Sequence, residues 1–172
     1  MFCMAIWLVG TIFIAIVATQ NFYTIDRLLT ESPSGIFRQT VDTMKTQTPT
    51  APELLRYLSS ELNRLYFQYW NLAQLPLGIL TLWLVSKLPG SKHATWEIVA
   101  MLGVVLFLML VVTPEILSVG RSLDFAPPDP VPPGMRTFAL LHTAYSVFTV
   151  INLVLGILVT LWIQKADPSQ DA

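Results

Sequence analysis

The chain has 172 residues, of which 53% are hydrophobic and only 12% are charged, and its formal net charge is -1. Ordinary soluble domains carry charged residues at about a quarter of their positions, so this composition excludes a typical soluble enzyme and a disordered chain. The balance of charge gives no basic excess that would point to nucleic acid as a partner. A single integral membrane domain covering 1–172 is the class that fits.

Runs without charged side chains predict four transmembrane helices. A bilayer core about 30 Å thick needs roughly 20 helical residues at about 1.5 Å each, and helix is the state that satisfies backbone hydrogen bonds in lipid. The predicted spans are about 2–25, 65–86, 96–117 and 137–164. The predicted fold class is therefore all-α, a four-helix transmembrane bundle.

The first loop, 29–50, is predicted to be extended and partly helical. Four of its apolar residues have partial helical spacing, which favours a short interfacial helix; they are Ile36, Phe37, Val41 and Met44. Thr50 followed three residues later by Glu53 is typical of a capping box at a helix start. One long helix is expected from there to Lys87, protruding beyond the bilayer, with Pro76 as a candidate kink.

Proline marks the third helix and the last loop. Pro114 is expected to end or kink the third span because it removes one backbone donor. The loop 122–136 holds five prolines, a density that stiffens the chain toward polyproline conformation. A rigid connector is the simpler interpretation of this loop, and a docking strap for a partner protein is the alternative.

Polar residues recur at helical spacing in the second and fourth spans. The fourth span places His142, Tyr145 and Asn152 on one narrow face, and the second places Gln68, Asn71 and Gln74 on a broader one. Each span also has one glycine near its middle; these are Gly10, Gly78, Gly103 and Gly156. Amides and small residues at such positions favour close helix packing, while a lined path or ligand pocket is the alternative.

His142 is the only side chain well inside a predicted span whose ordinary pKa lies near neutral pH. A neutral imidazole there is either a hydrogen-bonded packing residue or an axial ligand of a tetrapyrrole such as chlorophyll or haem. A bis-histidine haem would need a second intramembrane histidine, which the spans lack. No metal site and no cofactor are predicted beyond bound lipid, with the tetrapyrrole kept as the alternative.

Charged residues gather where the first and second helices leave the membrane. The predicted interfacial cluster consists of Asp26, Arg27, Glu61, Arg64 and Glu115. Partly desolvated ion pairs at that depth would fix the helix register. A polar pocket for a lipid headgroup or a small anion is the alternative.

Lysines set the expected orientation. Four spans place both termini on one side, together with the short loop that carries Lys87 and Lys92 and no acid. Short basic loops favour the cytoplasmic side, so both termini are expected to be cytoplasmic in a cell (inner) membrane. The opposite orientation is the alternative, because the two longer loops carry more basic residues in total: Arg27, Arg38, Lys45, Arg56, Arg64, Arg121 and Arg136.

Several segments together resemble the bacterial four-helix membrane family related to transmembrane protein 205, a domain of unknown function. The segments that carry the resemblance are Asn21-Phe22 through Arg27-Leu28-Leu29, Ser60-Glu61-Leu62-Asn63-Arg64, Pro114 to Arg121, and Phe138-Ala-Leu-Leu-His142 followed by Asn152 and Gly156. The resemblance implies a four-helix membrane architecture and brings no catalytic residues with it.

The sequence contains no motif of zinc hydrolases, P-loop proteins, paired-cysteine redox proteins or serine hydrolases. We therefore expect no enzyme. The leading functional hypothesis is an accessory or structural subunit of a larger membrane complex, with an energy-transducing complex as one example. Its partners would be the lipid bilayer and other membrane-protein subunits. The alternatives are an autonomous channel or transporter for a small solute and, third, a tetrapyrrole-binding subunit.

Overall fold

A computed structural model describes residues 2–32, 34–127 and 129–165. Within those ranges the chain forms helices and no strand, which confirms the all-α prediction. The helices are α1 (Phe2–Glu31), α2 (Gly35–Thr43), α3 (Ala51–Ser86), α4 (Lys92–Phe107), α5 (Thr113–Ser122) and α6 (Met135–Lys165). A short 3₁₀ turn, Met44–Thr46, follows α2, and a π-helical turn, Leu108–Val112, joins α4 to α5.

Three helical segments are long and apolar enough to cross a membrane: Phe2–Glu31, Lys92–Ser122 and Met135–Lys165. The other predicted span, 65–86, lies inside α3 and is not among them. Polar residues at three successive turns, Gln68, Asn71 and Gln74, lower the hydropathy of this helix. Three of the long helices thus support a membrane protein, while the crossing of the membrane by a fourth helix stays a prediction.

Pro114 does not end the third long helix, which continues through it to Ser122. Proline has no N–H, and its ring pushes away the carbonyl one turn earlier. The strain is absorbed just before it, where the Thr113 N–H bonds to the Leu108 carbonyl, five residues back instead of four. This wider π turn keeps the helix continuous and rotates everything that follows.

Local capping explains how the first loop turns into α3. The predicted short helix is confirmed as α2, and the Ser34 hydroxyl accepts the Phe37 N–H at 3.2 Å at its start.

The start of α3 has the predicted capping box. The Glu53 carboxylate accepts the Thr50 N–H at 2.7 Å and the Thr50 hydroxyl at 2.9 Å. The backbone bond, and then the hydroxyl bond, hold the pKa of Glu53 below its usual value. The predicted single helix is also confirmed, since α3 runs for 36 residues through Pro76.

The long helices form a bundle in which α3 packs between α1 and α4, and α6 packs against α1, α4 and α5. The buried apolar core contains Met4, Trp7, Ile98, Met101 and Val159. The outside is also apolar, as shown by the exposed side chains Val9, Phe13, Leu110, Leu140 and Val150. A surface covered in large apolar side chains is unusual for a soluble monomer and suits lipid.

Glycines mark the closest helix contacts. A Cβ atom added at Gly78 would lie 2.5 Å from Leu102 Cδ2 and 2.7 Å from the Trp7 ring. Gly10 is likewise covered by the Trp70 ring, and Gly156 by Leu8, Met4 and Met101. Gly103 differs, because an added Cβ would meet no atom within 4 Å. Three of the four mid-span glycines therefore permit close approach, and Gly103 lies on the outer surface.

Replacing Gly78 with alanine should therefore destabilise the bundle, while replacing Gly103 should not. Overpacking a filled core costs about 1–3 kcal/mol, whereas alanine at an open helical site gains helix propensity. Thermal unfolding in detergent should show a lower Tm for Gly78→Ala and an unchanged or higher Tm for Gly103→Ala. Equal effects of the two substitutions would contradict the packing described above.

Candidate functional site

A cavity of about 290 Å³ opens at the end of the bundle where α1 ends and α6 begins. Its wall is mostly apolar, formed by residues that include Phe22, Phe67, Ile116, Leu117, Leu123, Met135 and Phe138. Its polar lining includes Asn63, Arg64, Thr113, Asp124, His142 and Tyr145. A concave, largely apolar space with a few converging polar groups is the usual form of a small-molecule site.

Ion pairs close one side of this cavity. Arg64 makes a bidentate pair with Asp124, with Nη1 2.8 Å from Oδ2 and Nη2 2.8 Å from Oδ1. Arg64 Nη1 also donates to Glu61, and Arg121 Nε lies 3.9 Å from the same carboxylate. The Arg64 and Asp124 side chains are only 11% and 16% exposed. Two-point guanidinium–carboxylate pairs with little exposure are strong and fix orientation.

The predicted interfacial charge cluster is divided in the structure. Glu61 and Arg64 do meet, but Asp26 pairs with Arg56 at 3.1 Å on the exposed surface. Arg27 and Glu115 are exposed and form no ion pair with another described residue. The second carboxylate on Arg64 comes from Asp124 in the proline-rich connector. Helical spacing did not indicate Asp124 as a partner of Arg64, because the position of Asp124 depends on how the connector folds back against the helices.

The centre of the bundle holds a network of hydrogen bonds, here called the central network. The Asn71 amide donates from Nδ2 to Thr113 Oγ1 at 3.0 Å and accepts at Oδ1 from Tyr145 OH at 2.9 Å. Gln74 Nε2 lies 3.4 Å from Asn71 Oδ1, and Gln74 Oε1 accepts the Trp7 indole N–H at 2.8 Å. These five side chains connect α1, α3, α5 and α6.

The local structure positions each member of the central network. Asn71 and Gln74 are three residues apart and so share a face of α3. Thr113 follows the π turn directly, and its hydroxyl accepts from Asn71. The Tyr145 ring packs edge-on against Phe67, with ring centroids 5.3 Å apart.

The other candidates in the predicted stripes lie at the edge of the site or outside it. Gln68 is exposed, away from the central network. His142 is exposed at the cavity mouth, where its ring stacks on Phe138 with centroids 6.0 Å apart. Trp7 and Thr113 belong to the network but were not candidates. A buried indole N–H usually finds an acceptor, so a tryptophan within the charge-free run 1–25 was the available signal for Trp7.

Asn152 is buried beside a second, much smaller cavity of about 20 Å³. Its Oδ1 atom has no hydrogen-bond partner among the described residues. Thr149 and Tyr145 also line this space, which is about the size that one water molecule needs. Tyr145 therefore borders both cavities.

The described residues contain no group of three or more His, Cys, Asp or Glu side chains that could hold a metal ion. The lining of the large cavity supplies hydrogen-bonding groups and apolar contact surface. Ligation of a tetrapyrrole by His142 stays a prediction.

Comparison with known proteins gives no relative for this chain. No protein-family model, no curated protein and no solved structure matches it at a significant level. The resemblance to the family related to transmembrane protein 205 therefore stays a prediction, and function has to be inferred from the geometry of the chain itself.

Substitution by leucine should lower stability at Asn71 but not at Asn152. Asn71→Leu removes the bonds to Thr113 and Tyr145 and should cost about 1–3 kcal/mol. Asn152→Leu removes an unpaired buried oxygen and fills the adjacent space, so the free energy of unfolding should stay equal or rise. Denaturation in mixed micelles compares the two variants. A clear loss of stability in Asn152→Leu would show that this amide has a partner of its own.

Two aspartates that form ion pairs, Asp124 with little exposure and Asp26 on the exposed surface, offer a second matched comparison. Asp124→Asn leaves the buried Arg64 guanidinium with one carboxylate and should cost about 2–3 kcal/mol. Asp26→Asn breaks an exposed pair and should cost less than about 1 kcal/mol. Unfolding measured at low and high salt tests this, since only the exposed pair should be screened. Equal costs would contradict the difference in burial.

Proposed function

We propose that this chain is a multi-pass membrane protein whose four long helices all cross the bilayer. We further propose that it acts as a non-catalytic accessory subunit of a larger membrane complex. The crossing of α3 is supported by its charge-free stretch 65–86 and by exposed apolar residues on its outer side, among them Leu72, Ile79 and Trp83. Its polar side chains Asn71 and Gln74 face inward, where they are paired.

The observation that carries the proposal is a row of exposed apolar side chains on one face of α3, here called the α3 ridge. The ridge consists of Leu54, Leu58, Leu65, Tyr69, Leu72, Ile79 and Trp83, all of them exposed. Leu58, Leu65, Leu72 and Ile79 follow one another at seven-residue intervals, which keeps them on one side of the helix. A seven-residue apolar repeat is the pattern by which one helix packs along another.

The ridge is longer than lipid can cover. From Leu54 to Trp83 the ridge is about 44 Å long at about 1.5 Å per residue, while the hydrocarbon core is about 30 Å thick. Bonds between α1 and α3 set the depth: Asn21 lies 2.7 Å from Asn63, and Asp26 pairs with Arg56. Asp26 is the first charged residue of α1, so the hydrocarbon ends near these levels. Leu54 and Leu58 lie at or beyond that boundary, where exposed apolar side chains favour a protein partner.

Orientation and location are part of the same proposal. The short loop with Lys87 and Lys92 supports cytoplasmic termini in a cell (inner) membrane. The N-terminal end of the α3 ridge, α2 and the proline-rich connector would then face the opposite side together, and a partner would meet them there.

Cross-linking in the native membrane, followed by a native gel of the mild-detergent extract, tests the proposal. We expect the wild-type chain in a particle of several hundred kilodaltons, and the double variant Leu54→Ser/Leu58→Ser in a smaller one, because serine removes the apolar contact. Phe2→Ser is the control, since Phe2 is 78% exposed at the opposite end of the bundle and lies off the ridge. A wild-type chain that cross-links only to itself would overturn the accessory-subunit proposal.

A further inference from the structure

The proposed role as an accessory subunit does not account for the large cavity. Native interiors rarely contain spaces larger than a water molecule, because every lining atom loses dispersion contacts there. This one has a volume of about 290 Å³. Phe22, Met135 and His142 in its lining are exposed, so the cavity opens at the bundle surface. A space of this size with an opening is suited to a bound molecule taken up from its surroundings.

The charges around the cavity select an uncharged occupant. Arg64 is the only lysine or arginine in its lining, and both of its terminal nitrogens are already bonded to Asp124. Glu61 satisfies the same guanidinium from the other side. An anionic ligand would have to displace a carboxylate, and a cation would have to compete with Arg64.

The lining selects a planar ring with hydrogen-bond acceptors. Phe22, Phe67, Phe138 and Tyr145 bring aromatic rings from three helices, and such rings pack well against another flat ring. The Tyr145 hydroxyl is committed to Asn71, but the Thr113 hydroxyl accepts from Asn71 and still carries its own proton. The His142 imidazole, at the mouth, supplies a second N–H donor. Because Thr113 and His142 both offer donors, the matching groups on an uncharged ring ligand are carbonyl oxygens, which accept hydrogen bonds.

We propose that this cavity binds the head of a quinone-class lipid, a neutral planar ring with carbonyl oxygens and an apolar tail. The ring lies among the phenylalanines, and its carbonyl oxygens accept hydrogen bonds from Thr113 and His142. The tail leaves through the opening and runs along the apolar outside of the bundle. The bilayer is the source of the ligand, and binding involves no covalent or redox step.

Calorimetric titration of the purified full-length chain in detergent tests the proposal with a benzoquinone bearing a decyl tail as the probe. Saturable binding is expected, with much weaker binding of decylbenzene, which has the same tail and no carbonyl. His142→Phe keeps a flat ring and removes the donor, so we expect the Kd to rise about tenfold. Leu117→Trp fills the cavity and should abolish binding. Leu106→Trp is its control, because Leu106 is 41% exposed on the outer side of the same continuous helix and lies outside the π turn.

Thermal unfolding of each variant shows that it is folded before binding is compared. Absence of saturable quinone binding to the folded wild type would overturn the proposal, as would equal binding of decylbenzene. A phospholipid that co-purifies with the chain and is not displaced by the quinone would assign the cavity to an acyl chain instead. Each of these outcomes is independent of whether the chain is found in a larger complex.

Discussion

In an apolar bundle a buried polar group without a partner inside the protein is costly, because lipid offers none. The hydrogen bonds of Asn71, made directly or through Gln74, link all four long helices. Asn71 is 1% exposed, it bonds directly to Thr113 and Tyr145, and through Gln74 it reaches Trp7. A shift of any one helix by a single residue would break at least one of these bonds. The reduced hydropathy of α3 has the same cause. This helix supplies the amide side chains of Asn71 and Gln74, which are the hydrogen-bond partners of polar groups on the neighbouring apolar helices.

The π turn at Leu108–Val112 determines whether the network can form. Successive residues in an α-helix are about 100° apart, so the one extra residue in the π turn rotates the rest of the helix by about that angle. Without it Thr113 would point away from Asn71. The residues that follow, Leu117 and Gly120 among them, would leave the cavity wall. Pro114 thus acts on the site through the backbone, by making a regular turn before it unfavourable.

The sequence predicts what depends on local pattern. Charge-free runs locate the long helices, and Thr50 with Glu53 locates the start of α3. The spacing that brings Asn71 and Tyr145 inward is also visible. Gln68 is exposed because it lies about 120° around the helix from Gln74, at the edge of a broad stripe near the α3 ridge. Asp124 could not be predicted as the partner of Arg64, because the pair joins residues 60 positions apart through a connector without periodicity.

The hydrogen bonds at the centre of the bundle and the opening at its end support the proposed binding site rather than a path for a solute across the bundle. A solute crossing the bundle would pass Tyr145, which borders both cavities, and would have to separate Tyr145 from Asn71, Asn71 from Thr113, and Trp7 from Gln74. Interhelical hydrogen bonds in membranes contribute about 0.6 kcal/mol on average and up to about 1.7 kcal/mol. Three of them together give about 2–5 kcal/mol, which limits an opened centre to between a few per cent and a few hundredths of a per cent of molecules. A ligand enters the large cavity without breaking any of these bonds, so the same hydrogen bonds that hold the helices in register leave one end of the bundle free to bind.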